Sequence, residues 1–249
     1  MPTQNAIDYW YVNLASRPDR NDHACFEFAK AGIFARRFEA YTPDQYPGAQ
    51  DKIARMKART PGAIGCMMSQ MAVMRTAQGS DRAVGVFEDD VVLCSDFKDR
   101  ISYLCEHLPD DWDIAWLGST VHVNPPVWHK TTLKRDLERT PDKRIFRAYG
   151  VWSTYAYLVR GSSVARVLDL CDQNMYRSDG IDHCMMLYVQ PTLRTYCLMP
   201  GSTWQYDNKS NIGTGMTEFS TFKKLGPYVW ADHMEDFDPD TFDWAEAAR

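Results

Sequence analysis

The run AVGVFEDDVVL, Ala83 to Leu93, sets Glu88, Asp89 and Asp90 side by side in an otherwise apolar stretch. Burying one unpaired carboxylate is expensive, and adjacent ones also repel each other. Solvent at a strand end, basic side chains or a metal ion can compensate. Hard divalent cations such as Mg²⁺ and Mn²⁺ favour carboxylate oxygens and commonly share them with water and substrate phosphates. If the run continues as a strand, its side chains alternate, so Glu88 and Asp90 share one face and Asp89 points away. Such a pair can hold a metal against a diphosphate leaving group, which is Lewis-acid chemistry. The plain alternative is an acidic strand-end turn, salt-bridged to some of the 28 Lys and Arg residues.

Alternating strands and helices must position these groups. IDYWYVNL, Ile7 to Leu14, reads as a first strand, and Pro18 in the following ASRPDR suits a helix's first turn. That helix runs to Ala31, with Cys25, Phe26 and Ala29 on its buried face and Gly32 as its stop. Phe34 to Ala40 is a second strand, and Tyr41 to Thr60 a polar loop with a helical piece. Gly62 and Gly65 open a helix whose Met67, Met68, Met71, Val73 and Met74 read as adaptable core filling. After the acidic strand come a helix from Phe97 to His107 and a strand in WDIAWLG.

The polar, basic segment 120–147 reads as an excursion from the sheet and not as a separate domain. STYAYLVRG is a strand, Ser162 to Cys171 a helix, GIDHCMMLYV a helix from Ile181, and Leu193 to Pro200 a last strand. Strands separated by helices imply right-handed crossovers and a mostly parallel central sheet flanked by helices, an α/β fold in a single domain over 1–249. Ligands in such sheets sit beyond the carboxyl ends of the strands, where the acidic run lies. The tail 233–249 mixes acids with Phe237, Phe242 and Trp244, aromatic side chains that read as docked on the domain.

The net charge of −5 argues against general binding to nucleic acid or anionic membranes. The seven cysteines form no CxxC pair and read as small apolar residues of a reducing compartment. No apolar run approaches the ~18–20 residues of a membrane span, and the N-terminus lacks a basic-then-apolar signal. A cytoplasmic protein without an integral membrane segment is therefore expected.

In order along the chain, YVNLASRPDR, GAIGCMMSQMAVMR, VFEDDVVL, DWDIAWLG and GIDHCMM resemble glycosyltransferase family 25, the lipopolysaccharide-type and collagen-type galactosyltransferases. QYDNKSNIG adds Gln205, Ser210 and Ile212 to the match, which covers roughly residues 7–213. The sequence departs from the family pattern at Gln70, where His is usual, and at Asn211, where Asp is usual. The resemblance implies a GT-A fold, a Rossmann-like sheet that binds a nucleotide sugar as donor. It implies a metal, usually Mn²⁺ (or Mg²⁺), on the acidic motif, with Asp90 as main ligand and Glu88 beside it. Asp89 or Glu88 would touch sugar, ribose or metal-bound water. The implied reaction moves a galactose-like hexose to a glycan or other hydroxyl acceptor, as in lipopolysaccharide biosynthesis, with inversion and with Asp182 as base.

Around that frame, Arg17 and Arg20 follow the first strand, where a guanidinium fork suits phosphate or ribose. For both, a solvated helix start with Asp19 as partner is the alternative. Asn13 binds the base or simply ends the strand, Ser69 and Gln70 contact donor or satisfy backbone groups, and Gln205 falls to the donor site through the family match. Asp182 lies just inside a helix start, where the helix dipole favours its ionised form. His183 and His233 read as structural or surface residues, and Cys184 and Cys197 as core. The rival readings are a metal-dependent phosphoesterase or nucleotidyltransferase, and a catalytically silent sugar-nucleotide-binding module.

Overall fold

The computed structural model describes residues 6–42, 44–45, 61–118, 121–122, 137–199, 201–205 and 228–229. In chain order the strands are β1 (Ile7–Asn13), β2 (Ala35–Glu39), β3 (Ala83–Glu88), β4 (Val91–Leu93), β5 (Ile114–Trp116) and β6 (Val121–His122). They continue with β7 (Leu137–Arg139), β8 (Ile145–Ala148), β9 (Ala156–Val159), β10 (Thr195–Leu198), β11 (Thr203–Gln205) and β12 (Tyr228–Val229). The helices are α1 (Pro18–Lys30), α2 (Pro61–Thr76), α3 (Phe97–His107), α4 (Val164–Asn174) and α5 (Ile181–Cys184). The last runs directly into a π-helical turn at Met185–Val189.

The main sheet has eight strands in the order β2-β1-β3-β9-β5-β10-β8-β7. β2, β1 and β3 are mutually parallel, as are β5 and β10. β9 runs antiparallel to both of its neighbours, β3 and β5. β8 is antiparallel to β10 and to β7, so six of the eight strands share one direction. The expected mostly parallel α/β sheet is therefore present, with β9 as an antiparallel seam near its middle.

Side-chain alternation gives the sheet two apolar faces. Val84, Val86, Trp116, Tyr157 and Val159 pack with the methionines of α2 and with α4 and α5. Tyr9, Tyr11, Phe87, Ala115 and Leu158 pack on the opposite face with Phe28 of α1 and with Phe97, Ile101 and Leu104 of α3. Met67, Met68, Met71 and Met74 are completely buried, which fits their reading as core filling.

Three expectations need correction. Helix α1 buries Arg20, Ala24, Glu27 and Phe28, leaving Cys25, Phe26 and Ala29 outward. Two charged residues lie on its inner face because each has a buried task there; Glu27 Oε2, for one, accepts from Leu93 N at 2.8 Å. Segment 120–147 does not leave the sheet throughout, since β7 and β8 form its far edge. Ile145, Phe146 and Ala148 are buried, while Arg147 stays partly exposed with its guanidinium over Tyr149 and Tyr196. The acidic run is not one strand either: β3 ends at Glu88, and Asp89 and Asp90 form a turn before β4.

Gly32 does end α1, at φ 62°, with Ile33 N bonding back to Phe28 O at 2.9 Å. Among the described residues no helix is long and apolar enough to cross a membrane. The tail 233–249 and the positions Ser210, Asn211 and Ile212 lie outside the described residues.

Candidate functional site

Parallel pairing of β1 and β3 in the register Val12↔Glu88 brings Asn13 level with the acidic turn. Antiparallel pairing of β4 with β11, Val91↔Gln205, brings Gln205 beside Asp90. The turn is thus approached from both flanks by strand ends, and from below by the first turn of α1.

Both oxygens of Asp89 are held by the protein. Its Oδ2 accepts from Asn13 Nδ2 at 2.7 Å and its Oδ1 from Arg20 Nη1 at 2.9 Å. The same Nη1 lies 3.1 Å from Asp90 Oδ2, so Asp89 and Asp90 face one guanidinium and Asp89 does not point away. The turn explains the difference, because strand alternation stops at Glu88. Asn13 is itself fixed: its Oδ1 accepts from Arg37 Nε at 2.9 Å, and its Nδ2 also reaches Arg17 O at 3.0 Å. Sequence reasoning missed Arg37. Only the parallel register Tyr11↔Arg37, which the fold supplies, brings it beside Asn13.

Glu88 turns toward α2. Gln70 Nε2 donates to Glu88 Oε1 at 2.9 Å, and the Cys66 thiol approaches the same oxygen at 3.7 Å. Tyr157 OH donates to Gln70 Oε1 at 2.9 Å and so fixes which way the amide faces. Burial, then Asp90, Asp89 and Asp182, push the Glu88 carboxyl up to about 8, against the pull of Arg20. Burial raises the Asp90 carboxyl as well, with Arg20 opposing it.

Asp90 Oδ2 accepts from Gln205 Nε2 at 3.1 Å, but its buried Oδ1 has no partner among the described residues. Neither has Glu88 Oε2, since both bonds to that carboxylate fall on Oε1. A buried acceptor without a donor calls for something to fill it. Among the described residues no group of three or more His, Cys, Asp or Glu side chains makes a metal cage. Two carboxylates with spare oxygens nevertheless fit Mg²⁺ or Mn²⁺, which take one or two carboxylates and complete their shell with phosphate and water.

Asp182 belongs to the same neighbourhood: its charge raises both Glu88 and the Cys66 thiol. Its Oδ1 accepts from His183 N at 2.8 Å. Burial pushes the Asp182 carboxyl above the ordinary range. Desolvation thus outweighs the helix-start field expected to favour the ionised form.

The remaining assignments separate. Arg17 holds Asp19 through two contacts, Nε at 2.9 Å and Nη2 at 2.7 Å, the helix-start arrangement. Ser69 is completely buried; its hydroxyl donates to Gly65 O at 2.6 Å and accepts from Tyr41 N at 2.8 Å. It braces the backbone on both sides. His183 accepts from Asp179 N through Nδ1 at 3.1 Å, and Cys184 and Cys197 are buried, as expected of core.

A mostly parallel α/β sheet thus carries a buried carboxylate turn at the end of β3. The chain belongs to glycosyltransferase family 25 (LPS biosynthesis protein), whose profile matches residues 7–185. It is 28% identical over 179 residues to the inactive glycosyltransferase 25 family member 3 of Homo sapiens, covering 65% of this chain and 28% of that protein. It is 30% identical over 142 residues to the probable inactive glycosyltransferase 25 family member 3 of Bos taurus, covering 50% of this chain and 24% of that protein. The chain spans about a quarter of the length of these relatives. Among solved structures it resembles a glycosyltransferase involved in glycosylation of the major capsid of PBCV-1, with a TM-score of 0.42 and 10% identity over 79% of this chain and 81% of the other. Mouse xyloside xylosyltransferase 1 follows at 0.40, with 9% identity over 73% and 68%. The family assignment rests on the profile match.

Proposed function

We propose that this chain is a metal-dependent glycosyltransferase that moves a hexose, galactose-like, from a nucleotide sugar to a glycan or other hydroxyl acceptor with inversion. The observation that carries the reading is Asp90 Oδ1, a buried carboxylate oxygen without a partner among the described residues, in a turn whose other three carboxylate oxygens each hold a donor. Glu88 and Asp90 would hold Mn²⁺ or Mg²⁺, which when bound neutralises charge on a diphosphate. In the transfer, the bond from the anomeric carbon to the diphosphate oxygen breaks and the acceptor oxygen bonds to that carbon. Its proton passes to Asp182, and the nucleoside diphosphate leaves with the bonding electrons. A carboxylate raised by burial suits this task, since a base works best with its pKa near the working pH.

A second reading, a silent sugar-nucleotide-binding module, draws on two observations. Relatives carry the word inactive in their names, and Arg20 already supplies a cation to Asp89 and Asp90. Calorimetric titration with a panel of nucleotide sugars, with and without Mn²⁺, followed by NMR of the products, separates the two. Mn²⁺-dependent binding followed by a β-linked product from an α-linked donor supports the transferase. Binding without turnover supports the module, and an α-linked product rules out the single displacement.

A further inference from the structure

A base must stand beside the hydroxyl it deprotonates, so the surface next to Asp182 is where an acceptor would lie. The following residue, His183, lies against Trp152, with ring centroids 6.2 Å apart and planes 18° from parallel. Trp152 is half-buried, with its indole Nε1 on the buried side. Gln190 holds this arrangement with one fully buried amide. Its Oε1 accepts from Val151 N at 3.0 Å and its Nε2 donates to Val151 O at 2.7 Å, tying the residue before Trp152 to the end of the π-helical turn. Ser153 has φ of 80°, a left-handed conformation that a residue with a Cβ adopts only at a cost. Such turns and such backbone outliers gather at functional sites. Thr154 Oγ1 lies 3.4 Å from Gln70 Nε2, and Tyr155 O accepts from Glu88 N at 2.9 Å. Segment 151–155 therefore bridges the neighbourhood of Asp182 and the carboxylate turn.

Resting on the transferase reading for the role of Asp182, we infer that Trp152, backed by His183, is the acceptor platform, and that the acceptor is a pyranoside. A pyranose ring offers one face of C–H groups and a rim of hydroxyls. That matches a flat indole beside polar side chains, whereas a peptide hydroxyl on a flexible side chain has no face to stack. The planar wall would turn one ring hydroxyl toward Asp182 while the others stay hydrated.

Saturation-transfer NMR on the full chain tests this directly. The probes are methyl β-D-galactopyranoside, methyl β-D-glucopyranoside and N-acetylserine amide. Ring C–H protons of at least one pyranoside should receive saturation from the wild type, and the serine derivative should receive none. Trp152→Leu should abolish that transfer and, in turnover assays, raise the acceptor KM by roughly tenfold while leaving donor affinity unchanged. Trp152→Phe should retain most of both. If Trp152→Leu fails to fold, the milder Trp152→His, with a smaller ring face, must weaken the transfer in its place. Undiminished transfer in these variants, transfer to the serine derivative alone, or none from the wild type overturns the platform. A wild type that contacts pyranosides through Trp152 but binds no nucleotide sugar keeps the platform and removes the transferase reading. Donor turnover with no role for Trp152 does the reverse.

Discussion

Asn13 Nδ2 donates to Asp89 Oδ2 at 2.7 Å, fastening the end of β1 to the turn that follows β3. With Arg20 on the other oxygen, both oxygens of the middle carboxylate hold protein donors. Asp89 ties β1 and α1 to the turn, whereas Asp90 Oδ1 has no partner among the described residues. That division gives the acidic residues separable phenotypes.

Arg20→Ala should destabilise the fold by about 3 kcal/mol or more, because it leaves buried Asp89 and Asp90 without their cation. Arg17→Ala should cost little, since its partner Asp19 is exposed and screened by solvent. Urea denaturation of the two variants measures both. Equal, small losses would return Arg20 to donor binding alone.

Asp90→Asn should fold normally, because it removes a charge that burial already penalises. It should weaken Mn²⁺ binding by at least about 10²-fold. EDTA should inactivate the wild type and added Mn²⁺ or Mg²⁺ restore it. Full turnover in chelator would sink the metal assignment.

Asp182 carries a pH signature. Its folded carboxyl sits above the ordinary value, so between the two values the folded state binds more protons than the unfolded. Stability contributed by this group is therefore greatest at low pH and is lost as pH rises through the folded value. Asp182→Asn should raise the Tm at pH 8 and leave it unchanged at pH 3. Turnover should fall by ~10²–10⁴-fold in the same variant, with donor binding nearly intact. An Asp182→Asn protein that melts below wild type at pH 8 would contradict the burial argument.

Thiol chemistry offers an inexpensive check of the fold. Of the seven cysteines only Cys25 is exposed, and burial, with Glu88 and Asp182, holds the Cys66 thiol in its unreactive protonated form. Native protein should therefore show one fast-reacting equivalent with Ellman's reagent, lost in Cys25→Ser. Several fast thiols would mean that the sheet faces are not packed as described.

The alternation of apolar strands and helices was readable because both faces of the sheet are covered and most strands are near-continuous apolar runs. The carboxylate turn was readable because three acids in such a run stand out on desolvation grounds alone. What escaped were contacts set by tertiary pairing. Arg20 and Glu27 face inward on α1 because partners far along the chain await them, and a hydrophobic pattern assigns charged residues to the outside. Ser69 looked chemical, yet its hydroxyl is spent on Gly65 and Tyr41 backbone. Arg37, Tyr157 and Trp152 had no local signature at all, since each matters through a neighbour that only the fold supplies.

The antiparallel seam also makes one strand the joint of the sheet. β9 pairs with β3 at Val84↔Val159 and simultaneously with β5 at Ile114↔Val159. Within the eight-stranded sheet, β2, β1 and β3 on one side meet β5, β10, β8 and β7 on the other only through it. Glu88 ends the strand on one side of that joint, and Tyr157, which orients Gln70 toward Glu88, lies on the joint itself. A change that loosens β9 would therefore disturb the carboxylate turn without touching any residue in it.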